Sequence, residues 1–160
     1  MLICFAELYI KVLSNVVWNL NQLGDLILIF TIFNICNNAI WNGYIWVAVG
    51  SGSNSIAYSL NGTQWIGLGN TIFFYNGRNV RYINNIFYAV GDNDNSQYTV
   101  AYSTNGTIWT GLGTSIFSSY GSFVKYFNNL WFVGGYGTNS MAISTDGIGW
   151  VGQGTSGIYG

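Results

Sequence analysis

Asp92 and Asp94, in the segment GDNDNSQ, are the only clustered carboxylates of the sequence. Carboxylate and amide oxygens bind Ca²⁺ and accept hydrogen bonds from sugar hydroxyls, so the two residues are weak candidates for a metal or sugar contact. General acid–base catalysis is a poorer interpretation, because the sequence has no histidine and no nucleophile pattern. A plain polar loop is the favoured interpretation, and we expect no metal site and no catalytic residue.

Basic and sulfur-containing residues are also sparse. Arg78 and Arg81 are the two arginines, and Cys4 and Cys36 lie outside any C-x-x-C spacing, which argues against a structural metal site. With four basic and five acidic side chains, the chain lacks the charge needed to neutralise nucleic-acid phosphates. The apolar run LILIFTIF is far shorter than the roughly 20 residues that span a bilayer. We expect no cofactor, no nucleic-acid partner and no transmembrane span.

The elements that position these residues follow from an internal repeat. The phrase AYSLNGTQWIGLG begins at Ala57, AYSTNGTIWTGLG begins 44 residues later at Ala101, and AISTDGIGWVGQG begins at Ala142. The segments NAIWNGYIWVAVG, NVRYINNIFYAVG and SFVKYFNNLWFVGG precede the three copies in that order. A repeat of this length indicates stacked supersecondary units.

Each unit is predicted to contain four short β-strands. In the middle unit they are predicted at residues 80–83, 86–91, 98–103 and 107–112, where β-branched and aromatic residues are separated by Asn, Asp or Gly. The second strand is apolar at nearly every position, as in IFYAV, so both of its faces must be covered.

The turns are predicted from Asn and Gly. The Asn-Gly or Asp-Gly pairs at 61–62, 105–106 and 146–147 favour two-residue type I′ turns, because Asn, Asp and Gly reach positive φ easily. The pairs at 84–85 and 128–129, both Asn-Asn, are weaker versions that join the first two strands of a unit. Each unit is then a four-stranded antiparallel meander.

The chain is therefore predicted to be all-β, with about three such meanders forming the blades of an incomplete β-propeller. The repeats are predicted at residues 32–69, 70–113 and 114–154, with the start of a fourth before residue 160. Residues 1–31 are predicted to form a short amphipathic helix and one strand of an incomplete blade. A two-sheet sandwich is the main structural alternative. Propellers ordinarily have four to eight blades, so we expect either a fragment of a larger propeller or a homo-oligomer that completes one.

The pattern S-x-[ND]-G-x-x-W occurs once in each unit and resembles the Asp-box repeat of sialidase-like and photosystem-assembly-factor-like propellers. The usual Asp box has one more residue between Ser and Trp. Kelch-like propellers are the second choice, because Gly134-Gly135 follows an apolar run. The resemblance implies that Ser and Asp or Asn cap the turn and that Trp packs between blades. The motif residues are Ser59, Asn61, Gly62, Trp65, Ser103, Asn105, Gly106, Trp109, Ser144, Asp146, Gly147 and Trp150.

The function expected from these features is a non-enzymatic protein-interaction scaffold. A lectin-like glycan-binding module is the alternative, with Trp46, Phe87 and Trp131 at one repeated position and Tyr58 and Tyr102 at another. A fragment or remnant of a sialidase-like glycosidase is a further alternative, although two arginines are too few for the arginine cluster that the resemblance implies. The expected partner is a protein or a glycan, and the sequence indicates no compartment.

Overall fold

A computed structural model of the chain describes residues 32–92, 98–113 and 115–155. These residues form three four-stranded antiparallel sheets, each in simple sequence order, which confirms the all-β prediction. The predicted N-terminal helix and the strand after it, residues 1–31, lie outside the described residues. So does the end of the chain, residues 156–160, where the fourth unit is predicted to continue.

The three sheets are named A, B and C in chain order. Sheet A contains β1 (Ile35–Trp41), β2 (Trp46–Ser51), β3 (Ile56–Ser59) and β4 (Ile66–Gly67). Sheet B contains β5 (Gly77–Ile83), β6 (Ile86–Gly91), β7 (Val100–Ser103) and β8 (Thr110–Gly111). Sheet C contains β9 (Tyr120–Phe127), β10 (Leu130–Tyr136), β11 (Met141–Ser144) and β12 (Val151–Gly152).

The second strands of sheets A and B are buried on both faces, as their continuous apolar sequence predicts. In β2 five of the six residues are buried, and in β6 the same is true. The outermost strands differ from the prediction, because β8 is only two residues long instead of covering 107–112. The residues before it belong to a loop that is longer than a two-residue turn.

The prediction of type I′ turns at the Asn-Gly and Asp-Gly pairs is wrong. At these pairs only the glycine has positive φ, as in Gly106 at 79°. The true two-residue turns of this kind are Asn84-Asn85 (φ 50° and 63°) and Asn128-Asn129 (φ 48° and 59°), where both residues are left-handed. Ile83 pairs directly with Ile86 across the first of them. Asn tolerates the left-handed region better than other residues with a side chain, which explains its use there.

The sheets pack face to face through two apolar clusters. Between sheets A and B, Val47, Val49 and Ile56 meet side chains that include Phe87 and Ala101. Between sheets B and C the corresponding cluster consists of buried residues from both sheets and from the connection between them: Tyr88, Val90, Val100, Phe117, Trp131, Val133 and Ala142. Phe73 and Phe117 come from the connections between sheets and are fully buried in these clusters. A third cluster contains Phe33, Trp46 and Trp65 on the other face of sheet A.

A glycine lies near the end of the second strand of each sheet, where the first strand bulges. An added Cβ on Gly91 would lie 2.5 Å from the backbone oxygen of Asn76, and added Cβ atoms on Gly50 and Gly135 would meet the same obstacle in their own sheets. The strand pairings shift register beside all three glycines. Gly135, part of the kelch-like double glycine, therefore has a packing explanation shared by all three units.

Polar contacts connect the first strands of neighbouring sheets. The Asn37 side chain on β1 donates hydrogen bonds to the Asn76 side chain and to the Gly77 carbonyl oxygen at 2.8 Å. Arg78, on β5, pairs with Asp92 and lies over the Tyr120 ring at 4.1 Å. The first strands are thus adjacent from sheet to sheet.

Candidate functional site

Each Ser-x-Asn/Asp-Gly-x-x-Trp motif forms a loop that satisfies its own polar groups. In sheet B, Ser103 Oγ accepts hydrogen bonds from the backbone N–H groups of Gly106 (2.8 Å) and Asn105 (3.3 Å), and donates one to Asn105 Oδ1 (3.1 Å). Asn105 Oδ1 also accepts from the N–H groups of Thr107 and Ile108, both at 2.9 Å. Trp109 Nε1 then donates to the Gly106 carbonyl oxygen at 3.1 Å. This is an Asx-type loop, in which side-chain acceptors replace the ladder hydrogen bonds.

The other two loops repeat this arrangement. In sheet A, Ser59 accepts from Gly62 at 2.9 Å and Asn61 accepts from Thr63 at 3.0 Å. In sheet C, Asp146 replaces Asn and accepts from the Ile148 and Gly149 N–H groups, both at 2.8 Å. These backbone hydrogen bonds, with that from Ser144, hold the pKa of the Asp146 carboxyl below its usual value.

The tryptophans of the motifs pack against the apolar clusters. Trp65 is buried in the cluster on the other face of sheet A. Trp109 packs against the cluster between sheets A and B, and Trp150 packs against the cluster between sheets B and C. All twelve predicted motif residues therefore make contacts within the scaffold. Their side chains form no common site.

One end of the sheets carries the most exposed apolar side chains. The turns between first and second strands and the three motif loops all lie at this end, because each sheet is a meander. We call it the turn-end surface and define it by five residues, with exposed fractions of 84% for Tyr44, 73% for Ile108, 70% for Leu60, 68% for Phe127 and 50% for Ile148. The first four are the most exposed large apolar side chains of the part of the chain that the structure describes.

The sequence prediction missed these five residues. They occupy different places in the repeat: Leu60 follows the motif Ser, Ile108 precedes the Trp and Ile148 follows the Gly. The five share no repeated position: four lie in loops, and Phe127 is the last residue of β9.

Of the two carboxylates considered for a metal or sugar contact, the structure describes Asp92. Asp92 pairs with Arg78, beside Tyr120, and Tyr120 stacks on Tyr136 with ring centroids 5.6 Å apart. Asp94 lies outside the described residues. Within 32–92, 98–113 and 115–155 no three His, Cys, Asp or Glu side chains are grouped so that they could hold a metal ion.

The aromatic residues considered for sugar stacking are used in packing. Trp46, Phe87 and Trp131 are at most 9% exposed and contribute to three separate clusters. Tyr58 and Tyr102 are half-buried and pack against the clusters between sheets. None of the first three presents a ring face to a ligand.

A small cavity lies where sheet A meets the sheet B motif loop. Its volume is about 140 Å³. Trp109 and Thr107 line one side, and Ser55, Ile56, Leu68, Gly69, Thr71 and Ile72 complete the lining. The Trp109 indole and the hydroxyl-bearing residues Thr71 and Thr107 form an arrangement that suits a small polyhydroxylated ligand.

Cys36 is half-buried, with its sulfur 3.9 Å from the Asn38 carbonyl oxygen. Cys4 lies outside the described residues. None of the helices in the described ranges is both long and apolar enough to cross a membrane.

No protein-family model matches the chain, and a search of curated proteins finds no match.

Proposed function

We propose that this protein is a non-enzymatic interaction module that binds another protein through the turn-end surface. The observation that carries the proposal is the clustering of the four most exposed large apolar side chains of the described residues at one end of the sheets. Single exposed apolar residues are ordinary, but their concentration on one surface is typical of protein contacts. All three sheets contribute, so the surface extends along the array.

The turn-end surface has little charge. Asp146 is the one charged residue on the described loops of this end, and the remaining polar groups are amides and hydroxyls. Affinity then depends on apolar burial and hydrogen bonds, so it changes little with ionic strength. A strongly basic or acidic partner would not fit this surface.

We infer that the three sheets are blades of a β-propeller built from Asp-box-like repeats, with kelch-like ancestry as the second choice. The adjacency of first strands, the face-to-face packing and the inserted motif tryptophans support the inference. A second copy that completes the ring is part of this proposal. The mass of the purified chain in solution tests it, since a discrete dimer supports assembly and a monomer opposes it.

The test of protein binding compares the turn-end surface with a second surface that also exposes large apolar side chains. Partners cross-linked to the purified chain are identified and then expressed, and their affinity is measured by calorimetry. The triple change Tyr44→Ser, Leu60→Ser and Ile108→Ser should weaken binding at least about tenfold, because central apolar contacts carry most interface energy. Phe74→Ser with Tyr75→Ser, which removes exposed aromatic rings from the connection between sheets A and B, is the control and should leave affinity unchanged.

Equal loss of affinity in both variants, or loss in the control alone, would contradict the turn-end surface as the binding site. All five positions are exposed, so the folding stability of both variants should stay within about 0.5 kcal/mol of the original. We propose no catalysis, and hydrolysis of a sialoside by the purified chain would refute this.

A lectin-like activity is the second candidate, and the cavity beside Trp109 is the observation that favours it. Monosaccharides stack on aromatic faces while their hydroxyls exchange hydrogen bonds with groups such as those of Thr71 and Thr107. A glycan array on the purified chain tests this activity. Thr107→Val should abolish any binding found, and Thr104→Val, on the same loop but outside the cavity lining, should not. An array with no bound glycan excludes the candidate.

A further inference from the structure

We propose that Asn42 is the residue at which the folded chain deamidates spontaneously, and that the motif loops protect Asn61 and Asn105 from the same reaction. The sequence contains four Asn-Gly pairs, at 42–43, 61–62, 76–77 and 105–106. Asn followed by Gly is the pair most prone to this reaction, because glycine leaves its own backbone nitrogen unhindered.

The chemistry requires a free glycine nitrogen. The backbone nitrogen of glycine loses its proton and attacks Cγ of the asparagine, forming a C–N bond and a five-membered succinimide ring. The C–N bond to the side-chain nitrogen breaks, and that nitrogen leaves as ammonia. Water then hydrolyses the ring at either carbonyl, giving aspartate or isoaspartate. No electrons are transferred, and water is the sole co-reactant.

The backbone N–H groups of the glycines in the two Asn-Gly motif loops are hydrogen-bonded. Gly62 donates its N–H to Ser59 Oγ at 2.9 Å, and Gly106 donates to Ser103 Oγ at 2.8 Å. Both glycines are buried. Attack on the neighbouring Asn would break this hydrogen bond in a place that water does not reach.

The glycine nitrogen of the first turn of sheet A is different. Gly43 is exposed, an added Cβ there would meet nothing within 4 Å, and its N–H has no hydrogen-bond acceptor among the described residues. The Asn42 side chain makes the same hydrogen bonds as the Asn side chains of the motif loops. Its Oδ1 accepts from the N–H groups of Tyr44 and Ile45, both at 2.9 Å. These two donors also face the oxygen on which negative charge develops during attack.

The Asn-Gly pair at 76–77 is also constrained. Gly77 lies in β5 and is buried, and an added Cβ there would lie 2.5 Å from the Ser55 carbonyl oxygen. The Asn76 side chain is engaged by Asn37. Little space remains for a ring to close. The surroundings of the Asn-Gly pair therefore separate Asn42 from the other three residues.

The product changes the turn-end surface. Aspartate at position 42 keeps the loop, because Asp146 already accepts the same pair of backbone hydrogen bonds in sheet C. Isoaspartate adds a methylene to the main chain and displaces Tyr44. In either form, a carboxylate appears beside the most exposed aromatic ring of a nearly uncharged surface.

The test follows deamidation in the folded chain. The purified protein is incubated in ¹⁸O-labelled water at mildly alkaline pH, and its peptides are analysed by mass spectrometry. Conversion at Asn42 should be at least about tenfold faster than at Asn61 or Asn105, the effect expected for one buried hydrogen bond. Equal rates at the three residues, or absence of conversion at Asn42, would overturn the proposal. In urea the difference should disappear.

A matched variant tests the protection itself. Ser103→Ala removes the acceptor of the Gly106 N–H and should raise the rate at Asn105 several-fold, while Asn61 in sheet A keeps its rate. Asn61 thus serves as the internal reference for general unfolding. An unchanged rate at Asn105, or an equal rise at both residues, would show that the serine hydroxyl is not what protects the loop.

Discussion

Replacing Tyr88 by phenylalanine should stabilise this protein. Tyr88 lies on β6, completely buried between sheets B and C, with its ring 4.3 Å from the Trp131 ring between centroids. Its hydroxyl oxygen has no hydrogen-bond partner in the part of the chain that the structure describes. That hydroxyl lies against Gly147, where an added Cβ would strike it. The corresponding position of sheet A is the apolar Val47.

The magnitude follows from two opposing effects. A buried hydroxyl without a partner costs about 1–3 kcal/mol relative to a satisfied one. Removing one oxygen leaves a small gap, and the weaker dispersion attraction across that gap costs up to about 1 kcal/mol. The free energy of unfolding should therefore rise by about 1 kcal/mol in Tyr88→Phe, which corresponds to about 3 °C in Tm for a chain of this size.

The same residue makes stability depend on alkaline pH. Burial, with a smaller effect from Asp146 and then Tyr102, raises the pKa of Tyr88 from 10.0 to about 12. Because the folded pKa is the higher one, this contribution is fully present below pH 10 and is lost as the pH rises from 10 to about 12. Tyr88→Phe should remove that part of the alkaline decline.

Urea unfolding followed by tryptophan fluorescence measures both effects. Tyr82→Phe is the control, because the Tyr82 hydroxyl is exposed and lies 3.4 Å from Asn85 Oδ1. Removing this hydroxyl should change the free energy of unfolding by less than about 0.5 kcal/mol. A fall of more than about 1 kcal/mol in Tyr88→Phe would refute the reasoning, since it would mean that the hydroxyl is hydrogen-bonded to a buried water.

Two further substitutions test the packing and the loops. Gly91→Ala should lower the free energy of unfolding by more than about 3 kcal/mol, because the Cβ would be forced against the Asn76 backbone. Gly149→Ala is the control: its Cβ would come no closer than 3.7 Å to another group, so the change should cost less than about 0.5 kcal/mol. Asp146→Asn should leave folding intact at neutral pH, as Asn105 makes the same contacts, and should remove an acid-sensitive contribution. Since the pKa of Asp146 is lowered in the fold, that contribution is present above its unfolded pKa near 3.8 and is lost as the pH falls through the lower folded value, which urea titrations at acidic pH measure.

The sheets could be predicted from the sequence because their signals repeat. The apolar second strand, IFYAV in sheet B, requires cover on both faces, and its recurrence in three units predicts three sheets. The turn chemistry is harder to predict, because Asn-Gly suits two different structures. Ser103 decides between them: its hydroxyl captures the Gly106 N–H, so a side-chain bonded loop forms and shortens β8 to two residues.

The candidate surface could not be predicted from the repeat. Tyr44, Leu60 and Phe127 occupy unrelated positions within their units, and only the meander brings them to the same end. The pairing of Asp92 with Arg78 was equally hidden, since it depends on where the chain leaves β6 relative to β5. Periodicity reports what every unit shares, while binding surfaces arise from what each unit has alone.

The order of strands within each sheet also has a consequence for synthesis. Every hydrogen-bonded strand pair in the described residues joins neighbours along the chain, so no strand waits for a partner from a later unit. The strand pairs of each sheet can therefore form as its fourth strand leaves the ribosome, before the next unit has emerged. Pairing distances along the chain stay short, which favours fast local folding.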